Sequence, residues 1–170
     1  AVVEEVTLPP LQNFTDCFLS LMLSEAYSLH AKSVAHDTTM PLNTRARLQA
    51  GATIDPADVT RARARVGHLI HAVDTMWERV DLLVSGVVPG DPPRIDTIDP
   101  LAYMHAPMLA VPANLVGTPA VSVPCGVSKV GLPMGFQILA PCLGDGMVLR
   151  VAHAYETATS QTGHPLYPAT

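Results

Sequence analysis

The residues that could act as nucleophiles are poorly placed for catalysis in this chain. Nucleophilic catalysis needs a serine, threonine or cysteine that a base activates or whose pKa is lowered. The sequence has only two lysines, Lys32 and Lys129, and no GxSxG, SxxK, GxxxxGK[ST] or HExxH motif. None of the serines is next to another or set in a glycine-rich loop. The eight are Ser20, Ser24, Ser28, Ser33, Ser85, Ser122, Ser128 and Ser160. The sequence therefore predicts no serine–lysine catalytic pair.

The cysteines offer one alternative nucleophile. Cys125 follows a predicted strand, where functional sites often form, and with a histidine it would make a cysteine hydrolase. Cysteine is also among the most buried residue types, and burial is the preferred interpretation. Cys17, Cys125 and Cys142 are an odd set without CxxC spacing, which is typical of free thiols in a reducing compartment. We therefore expect a cytoplasmic protein, and the arginine- and alanine-rich composition suggests a bacterial source.

A metal site is the second alternative. His68, His71 and Asp74 recur at i, i+3 and i+6 on a predicted helix and could share an ion. They fall on the polar side of that helix and lack a fourth ligand, so a solvated helix face is the preferred interpretation. We expect no metal and no cofactor.

Several polar residues could bind a substrate. Arg45 and Arg47 lie in a short predicted helix, from which a guanidinium could reach a carboxylate or carbonyl oxygen, although solvent exposure is the commoner state of arginine. Gln137 lies in an apolar strand, where an unpaired amide would be costly, so it must have a backbone or ligand partner. Glu25 interrupts an apolar helical face near His30, and it either forms an internal pair or lies at the edge of the helix.

The elements that position these residues follow from local signals. Asp55 followed by Pro56 and Asp58 predicts a helix start, and the apolar spacing after it continues for about six turns. Asn13 is the predicted N-cap of the first helix, and Gly51 the predicted left-handed C-cap of the second. The predicted helices cover 13–33, 43–50, 56–79 and a final segment from Asp145 that stops by Gly163.

Strand-like runs alternate with these helices. The β-branched opening at 1–6, the apolar run at 81–85, and the runs at 120–125 and 135–139 predict strands, the last two as neighbours. Because the chain opens directly on strand-like residues, we expect a portion N-terminal to it to be missing. The pattern predicts an α/β layered fold with a buried, mixed sheet.

Composition limits the classes of function. The chain has 170 residues, of which 48% are apolar and 15% charged, with a net charge of −5. This length supplies one sizeable core, and the low basic content argues against nucleic acid as a partner. No run approaches the length of a membrane-spanning helix and no leader pattern is present, which predicts a soluble, unexported protein.

Two long segments carry a family resemblance. The run PANLVGTPAVSVPCG at 112–126, followed by GLPMGFQIL at 131–139, resembles the C-terminal part of the amidase signature family. Weaker matches follow the family's order at 23–30, 47–51 and 148–156. The resemblance implies that 1–170 is the C-terminal segment of an α/β/α sandwich with a mixed sheet, which hydrolyses carboxamides through an acyl-enzyme.

The resemblance also implies what this chain lacks. The family's serine, cis-serine and lysine triad and its oxyanion loop belong to an N-terminal portion with no counterpart here, so the isolated chain is expected to be inactive. The alternative is a non-catalytic module that pairs with a separate amidase chain. In either case the uncovered sheet edge and apolar faces predict self-association.

Substrate preference can be read from one departure from the family pattern. Pro107 and Ala110 replace the aspartate and threonine of members that act on glutaminyl groups, which favours a general amidase. We expect an apolar pocket around Met104 and Met108. The resemblance assigns Arg47 and Gln137 to positions near the substrate, as substrate-binding candidates.

Overall fold

A computed structural model describes residues 2–96 and 106–159 of the chain. Within this described part, five helices and three strands follow one another in a mixed order. They are α1 (Leu11–His36), α2 (Leu42–Gly51), α3 (Pro56–Trp77), β1 (Leu83–Gly86), α4 (Val111–Val116), β2 (Ala120–Val127), β3 (Pro133–Leu139) and α5 (Asp145–Thr159).

The start of α3 follows its local sequence signals. The Asp55 carboxylate accepts a hydrogen bond from the Ala57 N–H at 2.7 Å, and Pro56 occupies the first turn. The face that α3 buries matches the predicted apolar stripe, and its buried members are Ala62, Leu69, Val73 and Met76. These pack with Phe14, Cys17 and Val111 in one apolar cluster. The predicted helix and its buried face are confirmed.

The predicted cap of α1 is wrong. The helix begins at Leu11, and Pro10 is the residue before it, without a side-chain cap. Asn13 lies inside the first turn, where its N–H donates to the Pro10 carbonyl at 2.9 Å. The fixed φ of proline, −50° at Pro10, sets the chain direction into the helix in place of an asparagine cap.

The predicted role of Gly51 is also wrong. Gly51 is the last residue of α2 and not a left-handed cap. A Cβ at this position would lie 2.0 Å from the Leu23 carbonyl oxygen and 2.8 Å from the Tyr27 Cβ. Glycine is therefore required because α2 approaches the α1 backbone too closely for any side chain.

The three strands form one antiparallel sheet in the order β1-β3-β2. The expected pairing of 120–125 with 135–139 is confirmed, with Ser122 opposite Gln137 and Val123 opposite Phe136. The expected opening strand is wrong, because residues 2–6 pair with no strand and Val2 and Val3 are exposed. Strand propensity alone does not form a strand without backbone pairing to a neighbouring strand.

Other elements pack on both faces of the sheet, which confirms the layered α/β fold. The expected mixed sheet is wrong for the described residues, because both of its strand pairings are antiparallel. On one face α5 packs Val148 and Ala152 against Val123 and Ile138. On the other face, Leu83 of β1 packs against the apolar cluster of α1, α3 and α4. The start of α5 at Asp145 is confirmed, whereas its predicted end near Gly163 lies outside the described residues.

The length and apolarity of the helices determine whether one of them could cross a membrane. Among the residues that the structure describes, none of the helices has both the length and the apolarity that crossing a membrane requires.

Candidate functional site

Gln137 occupies the centre of the sheet and holds three elements together. Its side chain is only 5% exposed, and Ser85 on β1 and Ser122 on β2 lie opposite it in register. The Nε2 amide lies 2.9 Å from the Ser85 Oγ, 3.2 Å from the Gly86 carbonyl oxygen and 2.9 Å from the Leu109 carbonyl oxygen. The amide therefore ties β3 to β1 and to the segment that leads into α4.

A second buried polar side chain, on α1, holds the same segment. The Thr15 hydroxyl, which is fully buried on α1, donates to the Leu11 carbonyl at 3.2 Å and accepts the Met108 N–H at 3.1 Å. The sequence analysis did not identify Thr15. A threonine on an otherwise apolar helical face is the signal that could have found it, because a buried hydroxyl needs a partner. We call residues 106–110 the α4 entry loop.

An apolar cavity of about 250 Å³ lies beside this loop and β1. Among the described residues that line it, none carries a charge, and the polar side chains are those of Ser85 and Gln137. Its lining consists of Val6, Leu8, Leu11, Leu83, Val84, Ser85, Leu109, Pro112, Gln137 and Leu139. Such a cavity suits an uncharged apolar group.

Of the two methionines expected around an apolar pocket, Met108 lies within the described residues. Met108 packs against the apolar cluster of the helices, and the cavity is lined instead by its neighbour Leu109. Met104 lies outside the described residues. Pro107 is exposed in the α4 entry loop, and Ala110 is the residue before α4.

A second cavity, of about 210 Å³ and with mainly charged and polar lining residues, lies between parts of α1 and α3. Buried Cys17 contributes to its lining, and burial raises the pKa of this thiol, an effect that the positive charge of Arg65 partly offsets. A thiol with a raised pKa stays protonated near neutral pH and is a poor nucleophile. Asp58 and Arg61 at the rim form an ion pair with each other.

The other two cysteines differ in exposure. Cys125 is half-buried at the bulge between Pro124 and Gly126, and Cys142 is exposed in the loop before α5. All three cysteines are free thiols, as their spacing indicated.

The arginines of α2 have different environments. Arg45 donates from its guanidinium to the backbone carbonyls of Val34 and Asp37, so it caps the C-terminal end of α1. Arg47 is exposed on the same helix and does not line the apolar cavity that contains Gln137. The two predicted substrate-binding residues therefore do not line this cavity together.

The remaining polar candidates lie on the surface. His68, His71 and Asp74 are exposed along α3. Glu25 is exposed at the edge of α1 and lies 3.6 Å from the Arg63 guanidinium, so the edge interpretation of Glu25 is the correct one. Lys32 and Lys129 are exposed, and within the described ranges neither donates to a serine hydroxyl.

Curated proteins similar to this chain are longer than it is. A glutamyl-tRNA(Gln) amidotransferase subunit of Synechococcus sp. (strain RCC307) is 47% identical over 87 residues, which is 50% of this chain and 18% of that protein. The corresponding protein of Nocardia farcinica is 46% identical over 88 residues, again 50% of this chain and 18% of the relative. The chain thus spans less than a fifth of these relatives in the matched region.

Solved structures extend the similarity to nearly the whole chain. The crystal structure of an amidase superposes with a TM-score of 0.81 at 26% identity, covering 93% of this chain and 38% of that protein. The glutamyl-tRNA(Gln) amidotransferase subunit of Thermotoga maritima superposes with a TM-score of 0.67 at 24% identity, covering 89% and 34%. The sequence model described as Amidase matches residues 1–149. This chain therefore belongs to the amidase family.

Proposed function

We propose that this chain is the C-terminal portion of an amidase, an enzyme that hydrolyses carboxamide C–N bonds through a serine acyl-enzyme. The observation that carries this proposal is the superposition of 93% of the chain on 38% of a solved amidase, at a TM-score of 0.81. Because this chain superposes closely on a minor part of an enzyme, we propose that it forms the corresponding part of such an enzyme.

We further propose that the isolated chain is inactive. Acyl transfer needs a nucleophile and a base in contact, and hydrogen-bond donors for the oxyanion. Within the described residues the lysines donate to no serine hydroxyl, and burial raises the pKa of the Cys17 thiol. The chain would therefore contribute the wall of the site and not its reacting groups.

The wall that this chain supplies favours uncharged substrates. The apolar cavity beside the α4 entry loop has no charged side chain among its described lining residues. Pro107 and Ala110 stand at the positions where relatives acting on glutaminyl groups are expected to carry aspartate and threonine. These features support a general amidase for apolar amides.

The two substrate-binding candidates take different roles in this proposal. The Nε2 of Gln137 donates to three acceptors of the protein, so we propose that Gln137 positions the α4 entry loop while its side chain lines the apolar cavity. Arg47, exposed on α2, is proposed as a contact for a substrate carbonyl oxygen. Replacing Arg47 with Ala would then raise KM of the assembled enzyme, whereas a surface role would leave KM unchanged.

The test compares the isolated chain with an assembled enzyme. The isolated chain should hydrolyse neither an aryl amide nor a simple aliphatic amide. Hydrolysis should appear when the catalytic portion of a family amidase is supplied as a separate chain. Saturable turnover by the isolated chain would contradict the proposal.

A second candidate function is a non-catalytic module that pairs with a separate amidase chain. The observation that favours it is the outer edge of β1, which pairs with no other strand among the residues that the structure describes. Co-purification of the chain from its source with a separate triad-bearing polypeptide would distinguish the two. One continuous reading frame encoding both portions would exclude it.

We also propose a cytoplasmic, bacterial protein that binds neither nucleic acid nor membrane. The three free cysteines and the net charge of −5 support this, as do the bacterial sources of the similar curated proteins. Fractionation of the source cells would test it, and recovery of the chain in an extracellular fraction would contradict it.

A further inference from the structure

The amide of Gln137 has a fixed orientation inside the sheet. Its Nε2 lies within hydrogen-bond distance of the Gly86 and Leu109 carbonyl oxygens, at 3.2 and 2.9 Å. A carbonyl oxygen only accepts hydrogen bonds, so the donor branch of the amide must face these two atoms. A flipped amide would place one oxygen against another. The Oε1 of Gln137 therefore occupies the other branch of the amide.

This Oε1 atom accepts no hydrogen bond from any residue that the structure describes, although the side chain is only 5% exposed. Among the described buried side-chain atoms, Trp77 Nε1 and Thr118 Oγ1 are both fully enclosed and unpaired, and Gln137 Oε1 is not one of this pair. The atom therefore meets open space. The open space that Gln137 lines is the apolar cavity.

The rest of this cavity is apolar and has room for a small ring. Its described lining residues other than Ser85 and Gln137 are aliphatic or proline. The Ser85 hydroxyl is already used, because it donates to the Gly86 carbonyl at 3.2 Å and lies 2.9 Å from the Gln137 Nε2. The cavity volume is about 250 Å³. An engineered apolar cavity of about 150 Å³ in another protein binds benzene. The cavity thus combines one free acceptor with space for a benzene-sized group.

Leu109 forms a firmly held wall of the cavity. Because α4 has no side-chain cap at its start, the α4 entry loop is held from other elements. The Thr15 hydroxyl accepts the Met108 N–H at 3.1 Å and the Gln137 amide donates to the Leu109 carbonyl at 2.9 Å, so two consecutive residues are anchored. The Leu109 Cδ1 would lie 3.5 Å from a Cβ at Gly86, which places this side chain against β1. A wall that is already ordered lowers the entropy cost of binding a ligand.

We propose that this cavity binds an uncharged aromatic carboxamide. The ring of the ligand lies among the aliphatic side chains, and its amide N–H donates to the Oε1 of Gln137. The ring fits the cavity volume, and the N–H fits the acceptor that no described residue uses. A carboxylate does not fit, because it has no donor and would bury a charge without a partner. The inference rests on the proposed function, since a carboxamide is chosen among uncharged donors because an amidase would act on it.

Three ligands test the contact without any change to the protein. Benzamide should bind the chain with a dissociation constant of about 1 mM, which is ordinary for so small a ligand. Acetophenone, which has a methyl group in place of the NH₂, should bind about fivefold more weakly, because it leaves the Gln137 Oε1 unpaired. Benzoate should bind at least about 10-fold more weakly, because of its charge. Isothermal titration calorimetry measures the three constants. Equal affinities of benzamide and acetophenone would overturn the inference.

Methyl NMR of the unsubstituted chain locates the ligand, and no folding defect can affect this readout. The ring current of benzamide should shift the methyl resonances of Leu83, Leu109 and Leu139, which all line the cavity. The methyl resonances of Leu149, which is 62% exposed on α5, should not move. Shifts spread evenly over the methyl groups of the chain would contradict a defined site.

A matched pair of substitutions tests the size of the cavity. Leu109→Phe places a larger side chain in the cavity wall and should weaken benzamide binding by at least about 10-fold. Leu149→Phe makes the same change on the exposed side of α5 and should alter the affinity less than about twofold. Thermal unfolding confirms that both variants are folded. Unchanged benzamide binding by folded Leu109→Phe would overturn the inference.

Benzamide binding requires no catalysis, so this inference and the proposed function fail separately. Benzamide that binds in the cavity, while the assembled enzyme hydrolyses no amide, supports the site and contradicts the enzymatic proposal. An assembled enzyme that hydrolyses aliphatic amides, but neither hydrolyses benzamide nor is inhibited by it, contradicts only the aromatic site.

Discussion

The helical layer and the sheet of this protein differ in how completely they are covered. Between α1 and α3, Phe14 is 1% exposed and sits in a continuous apolar cluster. In the sheet only the central positions such as Val123 and Ile138 are fully buried, while Val84 and Val127 at the two edges are exposed. The difference is that α1 and α3 bury their apolar faces against each other, whereas the sheet buries its central positions and leaves a valine exposed on each outer strand.

The largest expected effect compares one phenylalanine from each region. Phe14→Ala should lower the free energy of unfolding by about 3–5 kcal/mol, because it empties a fully buried site. Phe136→Ala should cost less than half as much, since Phe136 is only half-buried, although it packs on the cluster of the sheet and α5 and lies 4.8 Å from the Tyr155 ring between centroids. Urea denaturation followed by circular dichroism measures both. Equal losses would contradict the difference between the two regions.

A pair of glycines tests the close approach within the helical layer. Gly51→Ala should destabilise the chain by about 1–3 kcal/mol or more, because the new Cβ would collide with the α1 backbone. Gly67→Ala is the control, since its Cβ would meet nothing within 4 Å on the exposed face of α3. That change should stabilise the chain by about 0.5–1 kcal/mol. Thermal unfolding of both variants measures whether the two changes in stability have opposite signs. An unchanged stability of Gly51→Ala would contradict the close approach of α2 to the α1 backbone.

The junction between the two regions depends on Gln137. Gln137→Leu should lower the free energy of unfolding by about 1–3 kcal/mol, because it leaves the Ser85 hydroxyl and the Gly86 and Leu109 carbonyls without this donor. It should also speed hydrogen exchange at the Met108 amide in the α4 entry loop. Gln49→Leu, on the exposed side of α2, should change stability by less than about 0.5 kcal/mol. Unchanged exchange at Met108 would show that Gln137 does not hold the loop.

The smallest expected effect concerns the cysteines. Exposed Cys142 should react rapidly with iodoacetamide, whereas Cys17 should react only when the chain unfolds. Since burial raises the pKa of Cys17 above the ordinary thiol value of 9.0, its contribution to stability is complete below that pH and is lost as the pH rises through the folded-state pKa. Peptide mapping after timed alkylation measures the order in which the cysteines react. Early modification of Cys17 would indicate that the helical layer is open.

Local signals in the sequence predicted an element correctly where the residues of that segment alone determine its structure. Asp55 and Pro56 fix the start of α3 through contacts within one turn, and the pairing of β2 with β3 follows from a short connection between two apolar runs. Gly51 could not be assigned in this way, because its requirement comes from the Leu23 carbonyl on another helix. The residues at 2–6 were misassigned since a strand exists only with a partner.

The candidate site was harder to predict than the fold, because its contacts join residues that are far apart in the sequence. The sequence showed that Gln137 needed a partner, but the partners lie 28 and 52 positions away in the chain. Thr15 and Met108 are separated by 93 positions. Neither local propensity nor periodicity carries information over such separations.

The central claim is that these 170 residues form part of the wall of an amidase site and carry none of its reacting groups. Intact-mass spectrometry after incubation with a fluorophosphonate, which labels activated serines, tests this most directly. A full-length family amidase should gain one adduct under the same conditions, while the mass of this chain should remain unchanged. A stoichiometric adduct on any side chain of the isolated, folded polypeptide would contradict the claim.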